Sequence, residues 1–156
     1  MQIGNAKSKR QRTMLVSNIL NEKGRVVITI APDSSLLVAA TVLARHKIGA
    51  LIVKGPNGAL AGVISERDIV LTLAKHGGAG LTQSVSSCMT KTVATCEESD
   101  TIDVLMETMT NCRFRHMPVV AEGRVVGIVS IGDIVKMRIA ETMREAQALK
   151  QYIATG

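Results

Sequence analysis

Two hydrophobic periods alternate along this chain. Apolar residues crowd positions 26–30, recur at Leu36, Ala39, Ala40 and Leu43, and crowd again in "IGALIV", Ile48–Val53. The i, i+3, i+4, i+7 spacing marks one apolar face of a helix, while the short runs on either side read as buried strands. The pattern predicts strands near 26–30, 50–54 and 60–65 and helices near 34–46 and 67–76. "KGPNG" (Lys54–Gly58) carries turn chemistry between the second and third strands. "HGGAG" (His76–Gly80) stops the second helix, because glycine tolerates the left-handed conformation just past a helix end.

The same order then returns. Val27–Val53 lies on Val93–Val119 at a constant shift of 66 positions. Identities are few (Val27/Val93, Thr29/Thr95, Val38/Val104, Val53/Val119), but the helical face repeats as Ile102, Leu105, Met106 and Met109. Asp33-Ser34 and Ser99-Asp100 supply N-cap chemistry before the two helices. "VSNIL" (Val16–Leu20) matches "VSSCM" (Val85–Met89), "GVISERDIV" (Gly62–Val70) matches "GIVSIGDIV" (Gly127–Val135), and "AEG" (Ala121–Gly123) is the shorter hairpin turn. The chain is an internal duplication.

The fold class is therefore α+β: two β-α-β-β-α repeats and a long C-terminal helix reaching about Ile153. A basic flexible tail is expected at 1–12, repeat 1 at 13–76, a linker at 77–84, repeat 2 at 85–140 and a helix extension at 141–156. Repeats of this size are marginal alone. They are expected to pack sheet to sheet about a pseudo-two-fold axis, with two related clefts at the seam, where small-molecule sites are common.

Composition sharpens this. Apolar residues make up 46% of the 156 residues, but the only aromatics are Phe114 and Tyr152, so the core must be aliphatic, with the helically spaced methionines as core filling. No apolar run approaches the roughly 18–20 residues of a membrane span, and the first residues lack the apolar stretch of a secretory signal. Cys88, Cys96 and Cys112 are odd in number and lack C-x-x-C spacing, which points to small core residues in a reducing, cytoplasmic setting. Of the +6 formal charge, Lys7, Lys9, Arg10 and Arg12 supply four, so about +2 remains for the rest.

The two ordered sets, with "IGALIV" and "RHMPVV" (Arg115–Val120) before the hairpins and "SCMTKTVATC" (Ser87–Cys96) leading into the second copy, resemble a tandem cystathionine-β-synthase (CBS) domain pair, or Bateman module. The resemblance spans roughly residues 14–140. It implies a stand-alone regulatory module, not an enzyme, that binds AMP, ADP, ATP, NAD(H) or S-adenosylmethionine between its repeats. It also implies a homodimer formed through the helices that follow Asp68 and Asp133.

Ser65-x-x-Asp68 and Ser130-x-x-Asp133 fall at strand-to-helix turns. Such a carboxylate can accept hydrogen bonds from the vicinal hydroxyls of a ribose. Equally, Ser and Asp can do no more than cap the helix that follows. By the resemblance, one site combines Ser65, Arg67 and Asp68 with Thr95, Arg115 and His116, and the other combines Ser130 and Asp133 with Thr29, Ile48, Gly49 and Ala50. Arg115 and His116 stand where the first copy has Gly49 and Ala50, and Arg67 where the second has Gly132. The Asp68 site is thus expected to be the cation-rich phosphate clamp and the tighter nucleotide site. Ile52 in place of Pro118 is a further departure at the Asp133 site.

Other chemistries fare worse. His46, His76 and His116 lack metal-ligand spacing. "GGAG" follows a helix rather than a strand and is no phosphate-loop fingerprint. Cys112 beside Arg113 is a candidate redox thiol, with a helix-end residue the plainer reading. The competing function is nucleic-acid binding through the basic tail. Scarce aromatics argue against base stacking, and the modest remaining charge argues against a large phosphate footprint.

Overall fold

The repeats are built as two sheets, each backed by helices, in a computed structural model that describes residues 13–155. The basic residues Lys7, Lys9, Arg10 and Arg12, on which the nucleic-acid reading rests, lie outside the described residues. The first repeat runs α1 (Val16–Lys23), β1 (Thr29–Ile30), α2 (Leu36–His46), β2 (Ala50–Lys54), β3 (Leu60–Ser65) and α3 (Glu66–His76), followed by a 3-10 turn at Gly77–Thr82. The second runs α4 (Val85–Cys88), α5 (Ile102–Cys112), β4 (His116–Ala121), β5 (Arg124–Ser130) and α6 (Ile131–Thr155).

β1 pairs parallel to β2, and β2 pairs antiparallel to β3. The second sheet is the antiparallel pair β4–β5, and its counterpart of β1 shrinks to one parallel bridge, Cys96 to Val119. The strand expected over 26–30 is therefore only Thr29–Ile30. The N-caps also fall later than Asp33-Ser34 and Ser99-Asp100. Ser35 accepts from Val38 N–H and Thr101 from Val104 N–H, while the Ser34 carbonyl is taken by Val85 N–H. Each of these helices ends at a basic residue in the left-handed conformation, Lys47 (φ 53°) and Arg113 (φ 57°), which turns the chain into the next strand. Both side chains are exposed at the negative end of the helix dipole.

The two cores reveal an exchange. Val16, Ile19 and Leu20 of α1 open the first repeat in sequence but pack with Ile102, Leu105, Met117 and Ile134 of the second. Val85 of α4, which leads into the second repeat, packs with Leu36, Leu43, Leu51 and Ile64 of the first. Each lead-in helix completes the other repeat's core, so neither repeat closes by itself. A third cluster, Ala50, Ile52 and Val63 with Val125 and Ile128, joins the sheets face to face. Strand alternation produces this division, with Leu51 and Val53 turned toward the helices and Ala50 and Ile52 toward the other sheet.

The repeated glycines mark the crossings. A Cβ on Gly62 would meet the Thr90 carbonyl oxygen at 2.6 Å and Met89 Sδ at 2.8 Å. One on Gly127 would meet Leu20 Cδ2 at 2.8 Å. Both glycines make room for the lead-in segment of the other repeat.

Among the cysteines only Cys96 is a core residue. Burial, helped by the nearby Asp100 charge, pushes its thiol up to about 12, which keeps it protonated. Cys88 is half-buried and Cys112 is exposed at the end of α5. Met109, Met117 and Met137 fill cores, but Met143 is exposed on α6, contrary to the core-filling expectation.

Candidate functional site

The candidate sites grow from two strand ends. Ala50 faces Ser65 in the β2–β3 register, and His116 faces Ser130 in the β4–β5 register. One residue earlier, the Gly49 carbonyl accepts from Glu66 N–H at 3.0 Å and the Arg115 carbonyl from Ile131 N–H at 2.8 Å. Each helix is thereby launched from the start of its neighbouring strand, which fixes where its first turn points.

Both Ser-x-x-Asp strings form capping boxes. Asp68 Oδ2 accepts from Ser65 N–H at 2.8 Å and from Ser65 Oγ at 2.9 Å, while Asp68 N–H donates to Ser65 Oγ at 3.3 Å. Asp133 Oδ2 accepts from Ser130 N–H at 2.8 Å, and Asp133 N–H donates to Ser130 Oγ at 3.2 Å. Capping and ligand binding are thus compatible. The box pins one carboxylate oxygen and aims the other outward. Among the described residues, Asp68 Oδ1 carries only a 3.5 Å contact from Thr90 Oγ1.

The other side of each cleft comes from the lead-in segment of the opposite repeat. Thr90 N–H donates to the Val63 carbonyl at 2.9 Å, setting its side chain over Asp68. In the second cleft Lys23 Nζ donates to the Ile128 carbonyl at 2.8 Å and to Asp133 Oδ2 at 2.7 Å. Burial works to raise the Asp133 pKa, but hydrogen bonds from Lys23 and Ser130 and the charge of Lys23 outweigh it and hold the carboxyl below its ordinary value.

The expected groupings change here. His116, assigned with Arg115 to the Asp68 site, lies against Gly49 of the other repeat. A Cβ on Gly49 would sit 3.0 Å from both Cε1 and Nε2 of the imidazole and 3.9 Å from the Glu66 carboxyl carbon. Burial pushes the His116 pKa down, Lys23 and Arg115 add to the fall, and Glu66 and Asp133 oppose it. Asp68 is not among these charges. His116 therefore stands at the seam of the two clefts, beside Gly49 and Glu66 of the first repeat and within the field of Asp133, with burial favouring its neutral form.

Ile48 and Gly49 are half-buried beside the seam, while Ala50, assigned to the Asp133 site, pairs with Ser65 and is buried in the cluster between the two sheets that includes Ile128. Arg67 and Arg115 are exposed at the cleft mouths. Thr29 and Thr95 are exposed, and among the described residues neither hydroxyl bonds either aspartate. Thr90 and Lys23 were missed by sequence reasoning, because their roles depend on the exchanged lead-ins. A signal existed. Leu20 to Val27 spans seven positions and Met89 to Val93 four, so the first lead-in has three more (7 − 4), and Lys23 lies in that insertion.

Paired repeats, exchanged lead-ins and mirrored Ser-x-x-Asp turns define a CBS domain pair. The sequence matches the CBS domain family at residues 17–75 and 85–140, and the chain belongs to that family. It is similar to a CBS-domain containing protein of Agrobacterium tumefaciens, with 48% identity, a TM-score of 0.80, and coverage of 83% of this chain and 96% of that one. The CBS domain pair of protein MJ0100, in complex with 5′-methylthioadenosine and S-adenosyl-L-methionine, shares 30% identity at a TM-score of 0.74, covering 83% of this chain and 98% of that chain. A CBS domain protein of Pyrobaculum aerophilum complexed with AMP shares 25% identity at a TM-score of 0.69, covering 77% of this chain and 89% of that chain. No helix among the described residues is long and apolar enough to cross a membrane.

Proposed function

We propose that this chain is a regulatory sensor that binds adenosine-containing ligands (AMP, ADP, ATP or NAD(H)) in the two clefts and signals through conformation and oligomer packing. The observation that carries the reading is the Asp68 turn. A carboxylate oriented by its own capping box presents one oxygen to a cleft whose far wall is Thr90 of the other repeat. A ribose diol is the complementary partner for such an acceptor. The relatives holding AMP and adenosyl ligands support the same class. No catalytic group is assigned, and the three unpaired thiols suit a reducing compartment such as the cytoplasm.

A ligand seated in either cleft touches one repeat's helix start and the other repeat's lead-in. Binding would stiffen the exchanged arrangement, and the shift it causes can be no larger than its differential affinity for the two states. The test is a thermal-shift panel of AMP, ADP, ATP, NAD⁺, NADH and S-adenosylmethionine. A ligand present at about 100 times its Kd should stabilise the chain by roughly 2.7 kcal/mol. A flat response across the panel overturns the reading.

The signalling surface is the outer face of α3 and α6. Val70, Leu71, Val135 and Ile139 are exposed there, and every residue from Thr142 to Thr155 is exposed as α6 leaves the body. Isolated helices of about 12–15 residues are marginal in water. Ile139, Thr142, Ala146, Leu149 and Ile153 follow the 3-4 spacing of a coiled-coil seam. In a parallel pair, Glu145 of one helix flanks that seam opposite Lys150 of a second copy, which favours a parallel homodimer. Deleting 142–155 is expected to weaken self-association at least about 10-fold by sedimentation, about 1.4 kcal/mol. Glu145→Lys should weaken it less, with Lys150→Glu restoring it. An unchanged dimer after the deletion counts against this surface.

A further inference from the structure

The two clefts differ in the group that the facing lead-in brings to the aspartate. In the first, the Val63 carbonyl is satisfied by the backbone N–H of Thr90, and across the cleft the neutral Thr90 hydroxyl meets Asp68 at Oδ1, its Oδ2 being held by Ser65. In the second, the three-residue insertion carries α1 a turn further than α4. Its last residue, Lys23, delivers one ammonium to both the Ile128 carbonyl and Asp133. Ile128 follows Gly127 as Val63 follows Gly62, so an ammonium stands where the first cleft has a backbone N–H, and it meets Asp133 at Oδ2 where the Thr90 hydroxyl meets Asp68 at Oδ1.

We propose that Lys23 makes the Asp133 cleft selective for adenosine ligands that carry an anionic group, while the Asp68 cleft accepts uncharged ones. This rests on the nucleotide reading above. A neutral nucleoside entering the Asp133 cleft meets a carboxylate whose charge is already paired with Lys23 at Oδ2, so its hydroxyls gain a weaker acceptor, and it offers the ammonium no anion of its own. A phosphorylated ligand offers a second anion, so Lys23 exchanges one charged partner for another. His116, packed on Gly49 and within the fields of Lys23 and Asp133, adds a neutral hydrogen-bonding group beside the same space. The ion pair is partly exposed, with side-chain exposures of 37% for Lys23 and 22% for Asp133, so the ammonium can swing without unfolding the cleft.

The test is calorimetric titration of the whole chain with adenosine and with AMP. The wild type is expected to take one equivalent of adenosine and two of AMP. Lys23→Met should take two of adenosine, and its second AMP should bind at least about 10-fold more weakly and with a shallower salt dependence. Lys23→Arg, which keeps the cation, should behave as the wild type and controls for a merely structural loss. Equal stoichiometry for both ligands in the wild type overturns the proposal, as does Lys23→Met leaving adenosine at one equivalent. Failure of the wild type to bind either ligand, together with a flat response across the panel above, instead overturns the nucleotide reading itself.

Discussion

Leu20→Ala should lower the unfolding free energy by about 3 kcal/mol, within the usual range for truncating a fully buried leucine. Leu20 has no exposed surface, lies on Gly127 and belongs to the core of the second repeat, although it lies at the start of the first in sequence. Two losses combine: the transfer free energy of the side chain, and the void left above β5 where a glycine offers no side chain to fill it. Leu71→Ala, on the exposed face of α3, should cost the monomer well under 1 kcal/mol. Urea unfolding of both variants checks this, with unchanged denaturant dependence as the sign that the folded state is retained. A loss below about 1 kcal/mol for Leu20→Ala would show that α1 is not an integral part of the second core.

The second large effect concerns ligand affinity. Asp68→Ala is expected to weaken adenosine binding about 100-fold, close to 2.7 kcal/mol, as follows from removing a charged acceptor of two ribose hydroxyls. The same change removes the N3 half of the α3 capping box, at a stability cost of about 1 kcal/mol. Because the second loss is small, a folded variant with an intact melting transition should still fail to bind. Calorimetry separates the two effects. If Asp68→Ala binds adenosine like the wild type while Asp133→Ala abolishes binding, the open carboxylate is the wrong one.

Much of this was written in the order of apolar positions. The helical faces at Leu36–Leu43 and Ile102–Met109 and the turn glycines depend on local spacing, and spacing survives in sequence. So did the Ser-x-x-Asp turns, because a capping box is a contact between residues three apart. The N-caps slipped by one or two residues. Ser34 and Asp33 are as capable as Ser35, and the choice was made by Val85 drawing the Ser34 carbonyl across the molecule. The grouping of His116 with Asp68 alone left out its place at the seam, for a related reason. The imidazole's position is set by β4–β5 pairing and by the space above Gly49, and both are tertiary facts. Lys23 was the least legible residue. It acts on the repeat it does not belong to, from an insertion that looks like an ordinary polar helix end.

Backbone amide hydrogen exchange of the wild type with and without saturating AMP tests the central claim most directly, because it reports where a ligand sits as well as whether it binds. Slowed exchange is expected at the two helix starts, residues 65–68 and 130–133, together with the facing lead-in residues around Thr90 and Lys23. The outer faces of α2 and α5 should be unaffected. Protection confined to one repeat without its facing lead-in, or no protection in either cleft at saturation, would contradict it.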